Sequence, residues 1–187
     1  NRFTGIPVSN FHKSTPYFSK DLNEIFYVLS NTADGELVYD QNGKNALAIG
    51  LAGYNGSFEY ILKDLSTSFY YPFYEAKTQR LYFVANFEEG YGGTDIYYVN
   101  TNNGQIMSSP VNLGPRINSP GNEIAPYIFN NSLYFSSDVF YGLGGMDIYK
   151  SNIMDVDKFS IPINLGRGIN TTSDDFGFII RNGASGD

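Results

Sequence analysis

Leu81-Tyr82-Phe83-Val84-Ala85, with Gly92-Gly93-Thr94-Asp95-Ile96-Tyr97 behind it, returns 52 residues later as Leu133-Tyr134-Phe135 and Gly144-Gly145-Met146-Asp147-Ile148-Tyr149. Two further pairs keep the same offset: Pro110-Val111-Asn112-Leu113-Gly114 with Pro162-Ile163-Asn164-Leu165-Gly166, and Ile117-Asn118 with Ile169-Asn170. Agreement of independent segments at one spacing marks a structural repeat, and the repeat governs how every other residue is read. The run 81–85 is apolar without alternation. A strand exposed on one face would alternate, so burial on both faces is expected, as when each small sheet lies between two others.

Weaker echoes extend the pattern. Pro16-Tyr17 with Ile25-Phe26-Tyr27-Val28 parallels Pro72-Phe73 with Leu81-Tyr82-Phe83-Val84, and Asp174-Asp175-Phe176-Gly177 parallels Asn122-Glu123-Ile124-Ala125. The chain divides into units of about 12–68, 69–120 and 121–172, then the start of a fourth, 173–187. In the second unit the pattern predicts strand A over Pro72–Glu75, B over Leu81–Asn86, C over Thr94–Asn100 and D over Ile106–Leu113. Asn102-Asn103-Gly104 forms the last hairpin turn. Four short strands per repeat of roughly 50 residues, stacked face to face, predict an all-β fold built as a β-propeller. About three and a half blades do not close a usual ring. Further blades, or another chain covering the exposed faces, are therefore expected, and the 187 residues read as an excerpt.

Composition agrees. Of 187 residues, 17% are aromatic and only 17% charged, against roughly 25% charged in an average globular chain, which suits doubly buried strands. With no cysteine there is no disulfide, thiolate nucleophile or cysteine-ligated zinc, and the single histidine, His12, rules out paired-histidine sites. A net charge of −7 with 12 Lys and Arg offers no footprint for nucleic acid. The longest apolar stretch, Ala46 to Tyr54, is about half of a roughly 20-residue membrane span, so the chain is expected not to span a membrane.

The B–C connections, 87–93 and 139–145, are rich in glycine. A second strand follows each of them, whereas a phosphate loop leads into a helix. Their glycines, Gly92, Gly93, Gly144 and Gly145, are expected to take left-handed conformations and to let adjacent blades approach closely. Asp95 and Asp147 occupy the same place in two units, which favours a structural carboxylate over a catalytic one. The same duplication assigns Tyr97, Asn112, Gly114 and Asn118, with Tyr149, Asn164, Gly166 and Asn170, to the repeat framework. Asp155-Val156-Asp157 and Asp174-Asp175 lack EF-hand spacing, and no metal, cofactor or catalytic residue is assigned. Phe87, Tyr91, Phe140 and Tyr141 are the candidates for partner binding, because loops on a rigid scaffold carry recognition.

The succession Leu-Tyr-Phe, Gly-Tyr-Gly-Gly-Thr-Asp-Ile-Tyr, Pro-Val-Asn-Leu-Gly-Pro-Arg-Ile-Asn, Asn-Glu-Ile-Ala-Pro-Tyr over 81–127 resembles the WD40-like, TolB-type propeller repeat of OmpA-family envelope proteins of Bacteroidota. Residues 133–178 carry the resemblance a second time. It is looser earlier, where Ala48 stands in place of Asp95 and Asp147. Members include PorE-type components of the type IX secretion system. The resemblance implies a non-catalytic periplasmic scaffold, associated with the outer membrane, that binds an outer-membrane β-barrel or another envelope protein in a secretion or gliding assembly. It implies no enzyme. A propeller that binds ligands or glycans through its loop aromatics is the alternative. A sialidase-type propeller would carry aspartate boxes ending in Trp, and the chain has no Trp.

Overall fold

The structure is a computed structural model and describes residues 6, 8 and 10–180. The part of the expected fourth unit beyond 180 lies outside the described residues. The fold is all-β, with no helix among the described residues. The first sheet runs β1 (Lys13–Ser19), β2 (Glu24–Ser30), β5 (Leu47–Gly53), β6 (Phe58–Leu62), and the small hairpin β3 (Thr32–Ala33) and β4 (Glu36–Leu37) is inserted between β2 and β5. In the second, β7 (Phe69–Glu75), β8 (Arg80–Ala85) and β9 (Asp95–Asn102) pair in order, and β10 (Gln105–Ile106) and β11 (Val111–Asn112) share the outer edge of β9. The third repeats this plan with β12 (Glu123–Phe129), β13 (Ser132–Ser137), β14 (Asp147–Asp155), β15 (Lys158–Phe159) and β16 (Ile163–Asn164). Neighbouring strands are antiparallel throughout.

The unbroken apolar run of β8 divides between two cores. Leu81, Phe83 and Ala85 join Phe26, Val28, Ile49 and Leu51 in the layer between the first and second sheets. Tyr82 and Val84 join Leu133 and Phe135 in the layer between the second and third. A strand with period 2 sandwiched by sheets on both sides needs apolar residues at every position, and this is the physical content of the run. Aromatic contacts cross both layers: Phe26 stacks on Tyr74 at 5.5 Å, and Phe73 meets Tyr127 edge-on at 5.3 Å.

Two strands depart from expectation. The first strand of the second sheet begins at Phe69 rather than Pro72, because a bulge between Tyr70 and Phe73 absorbs the proline. A proline has no N–H for the ladder and is tolerated at such an irregularity. The device recurs: Thr15, Tyr71 and Ala125 each take positive φ immediately before Pro16, Pro72 and Pro126, and Gly177 holds the corresponding place after the third sheet. Strand D is split into β10 and β11, with Ser108, Ser109 and Pro110 between the halves. The turn Asn103-Gly104 has positive φ at both residues, as a tight hairpin requires.

Candidate functional site

The duplicated residues meet at one end of the second and third sheets. Asp95, at the start of β9 and 1% exposed, accepts hydrogen bonds at Oδ2 from the Tyr91 amide at 2.6 Å and from Asn112 Nδ2 at 2.8 Å. Asn112 Oδ1 accepts from the Gly114 amide at 2.8 Å and from Asn118 Nδ2 at 2.7 Å. Asn118 then clamps Ile96, accepting from its amide and donating to its carbonyl, each at 2.9 Å.

The third sheet repeats each link. Asn164 donates to Asp147 Oδ2 at 2.9 Å, the Gly166 amide to Asn164, and Asn170 clamps Ile148 at 2.8 and 3.0 Å. The chain Asp–Asn–Asn thus supplies partners to the backbone where strand C begins and where the return loop leaves the sheet, groups that burial would otherwise leave unpaired. Each carboxylate accepts from an asparagine and from loop amides of its own unit, and all of the Asp95 bonds fall on Oδ2.

The glycines act by close approach, and the expectation of left-handed conformations at Gly92, Gly93, Gly144 and Gly145 is corrected, since none of them has positive φ. A Cβ on Gly92 would run into the carbonyl oxygens of Ser119 and Gly121, and one on Gly144 into that of Ser173. These carbonyls belong to the connection into the next unit, so the glycines let successive sheets touch backbone to backbone. The Gly93 amide donates to Gly121 O at 2.7 Å, and the Glu123 amide to Thr94 O at 2.8 Å; Asp175 repeats the second bond on Met146 O at 2.8 Å. Gly114 and Gly166 are the left-handed pair, at φ +81° and +71°.

Of the four loop aromatics, Phe87 and Phe140 turn inward. Phe87 packs edge-on against Tyr97 at 5.0 Å, and Phe140 lies 5.3 Å from Tyr149. The Tyr149 hydroxyl also reaches the carbonyls of Phe140 and Tyr141 at 2.9 and 3.0 Å, which pins that loop. Tyr91 is 48% exposed and Tyr141 97% exposed. The structure therefore leaves two of the four rings available at the surface.

Two further groups stand out that the sequence reading did not single out for a role. Glu123 is 0% exposed, on β12, and accepts hydrogen bonds from the Ser119 amide at 2.7 Å, from the Ser119 hydroxyl at 2.5 Å and from Ser137 Oγ at 2.7 Å. Burial raises its pKa, and the Asp95 carboxylate across the junction adds to the rise. Its repeat partner Asp175 holds the Thr171 amide in the same way, so the acid shared by the third and fourth units was the available signal. The second group is Arg80, whose guanidinium meets Asp157 at 2.9 Å and lies 4.0 Å from the centroid of Tyr98. Tyr98 donates to the same Asp157 at 2.9 Å, and burial with this bond pushes its pKa up to about 12.

Asp157 is thus engaged between sheets, Asp155 pairs with Lys158, and Asp174 accepts from the Met146 amide. Among the described residues no group of three or more potential metal ligands converges. His12 lies beside Ser14, 3.0 Å from its hydroxyl on an exposed edge. No helix among the described residues is long and apolar enough to cross a membrane.

No protein-family model matches the chain, and no curated protein matches it. Among solved structures it is similar to a thermostable family-43 glycoside hydrolase, with a TM-score of 0.46 and 15% identity over 83% of this chain. The chain spans about half of that structure, 54% of its length. The expectation of a chain that is no enzyme is corrected by this finding, because the structure it resembles belongs to an enzyme. At this identity and score the likeness carries neither substrate nor catalytic residues across.

Proposed function

We propose that the chain is a section of a β-propeller, three four-stranded blades and the start of a fourth, serving as a protein-interaction scaffold in the bacterial cell envelope. The location proposed is periplasmic and outer-membrane-associated, and the partner an outer-membrane β-barrel or another envelope protein. The repeat motifs over 81–178 and their resemblance to OmpA-family envelope proteins support the location. The rigid stacking of the sheets supports the architecture. The outer faces of the stack are proposed to be covered by further blades or by another chain.

The observation that carries the interaction reading is Tyr141, almost fully exposed on a loop whose neighbouring Phe140 is anchored in the core. A large ring held out by a fixed loop suits recognition, since little freedom is lost when it is covered. The test places a photo-crosslinking residue at 141 in the organism that produces the protein. Crosslinks to an envelope protein, with the chain in the periplasmic fraction, are expected. A cytoplasmic protein without crosslinks would overturn the proposal. Glycan binding by calorimetry, lost in Tyr141→Ala, would replace the protein partner with a sugar.

A further inference from the structure

Tyr141 is one point on a longer ridge. Tyr91 and Leu143 stand at equivalent places in the second and third sheets, their amides directed to Asp95 and Asp147. Gly92 abuts the connection 119–121, and a Cβ on Gly121 would in turn strike Asp138 and Val139. Tyr91, Val139, Tyr141 and Leu143 therefore follow one another along the same end of the two sheets, and all four are exposed. Neighbouring apolar groups exposed together on a surface mark an interaction site more often than scattered ones do.

The border of the ridge is mainly acidic. Glu88 and Glu89 are exposed beside Tyr91, and Asp138 and Asp174 flank the third sheet's loop. The segments 86–94, 118–123, 137–147 and 170–177 hold no lysine or arginine; the two exposed arginines at this end, Arg116 and Arg167, lie on the return loops after β11 and β16. Apolar rings inside an acidic rim complement a surface of opposite character.

Resting on the interaction reading above, we propose that this end docks a basic protein segment whose apolar side chains alternate with lysine or arginine. The apolar groups cover Tyr91 and Tyr141, and the cations face Glu88, Glu89 and Asp138. An arginine can also stack on the open face of Tyr141.

The test titrates the 187-residue chain into a labelled twelve-residue peptide of alternating lysine and leucine, and into its glutamate–leucine counterpart, at 20 and 200 mM NaCl. The lysine peptide is expected to bind, at least tenfold more weakly at the higher salt, and the glutamate peptide not to bind. Tyr91→Ala with Tyr141→Ala, and separately Glu88→Gln with Glu89→Gln, should each weaken binding at least fivefold. Asp155→Asn, in the β14–β15 hairpin at the other end of β14 from Asp147, should leave it unchanged. Absence of binding, equal binding of both peptides, or equal loss in the hairpin variant would overturn the inference. If crosslinking at 141 still finds an envelope protein, the scaffold reading stands while the basic partner falls.

Discussion

Asn112 donates to Asp95 at 2.8 Å, and Asn164 makes the same bond to Asp147 at 2.9 Å. The two carboxylates differ in their second oxygen. Asp147 Oδ1 accepts from the Gly144 amide at 3.1 Å, whereas Asp95 Oδ1 is buried with no partner. Replacing a carboxylate by an amide turns one acceptor into a donor. Asp147→Asn therefore loses an existing bond and should cost about 1–3 kcal/mol. Asp95→Asn can place its new NH2 where no bond is lost, and should cost about 1 kcal/mol or less. Urea unfolding of both variants measures the difference, and equal losses would remove this account of the network.

The glycines of the same loops separate two reasons for being glycine. Gly114 has positive φ and open space around it, so Gly114→Ala meets only the left-handed backbone penalty of roughly 1–2 kcal/mol. Gly92 has an ordinary φ but no room, since its Cβ would enter the carbonyls of Ser119 and Gly121. Backbone cannot rotate away as a side chain can, and Gly92→Ala should cost more than Gly114→Ala, about 2 kcal/mol or above. It should also loosen the junction, visible as faster amide exchange at Gly93 and Glu123, the residues that bridge the two sheets. Unaltered exchange in Gly92→Ala would contradict the close-approach role.

Much of this was legible in the sequence for a physical reason. A repeat forces equivalent residues into equivalent environments, so Asp95 and Asp147, or Asn118 and Asn170, announced a shared structural task before any coordinates. The apolar run 81–85 announced double burial because no sheet with a wet face tolerates it. The inward turn of Phe87 and Phe140 was hidden, since an aromatic in a loop looks the same whether it faces out or folds back. Arg80 and Asp157 were hidden too. They are 77 residues apart, and no local pattern reports a pair joined only by the packing of two sheets. The bulges were half visible: the prolines were there, but the positive φ before each follows from the pairing register, which sequence does not state.

Glu123 gives the junction a pH dependence of fixed sign. Its folded pKa lies above the ordinary carboxylate value, so between the two the folded state binds more protons than the unfolded one. Stability from this group then falls as pH rises through that window and recovers as pH falls back through it. Glu123→Gln removes the titration. The stability difference between the variant and the parent should shift in favour of the variant as pH is raised from about 4.5. Urea midpoints for both proteins between pH 4 and 8 measure it, and parallel curves would show that Glu123 ionises in the fold as freely as in solution.

Arg80 and Asp157 supply the last prediction, in which partner loss is unequal. The Arg80 side chain is 16% exposed and that of Asp157 45% exposed, so the cation is the more deeply set of the two. Removing Asp157 leaves a largely buried guanidinium with no countercharge, held only by the Tyr98 ring and the Tyr82 hydroxyl, and strips Tyr98 of its acceptor. Removing Arg80 leaves a carboxylate that water can reach and that still accepts from Tyr98. Asp157→Ala should therefore destabilise more than Arg80→Met, whose aliphatic chain keeps the packing on Tyr98. A double-mutant cycle should give a coupling of about 0.5–2 kcal/mol, above that of an exposed pair such as Asp155 and Lys158. A coupling no larger than the exposed pair's would mean that the Arg80 bridge adds nothing to the hold between the second and third sheets beyond their apolar layer.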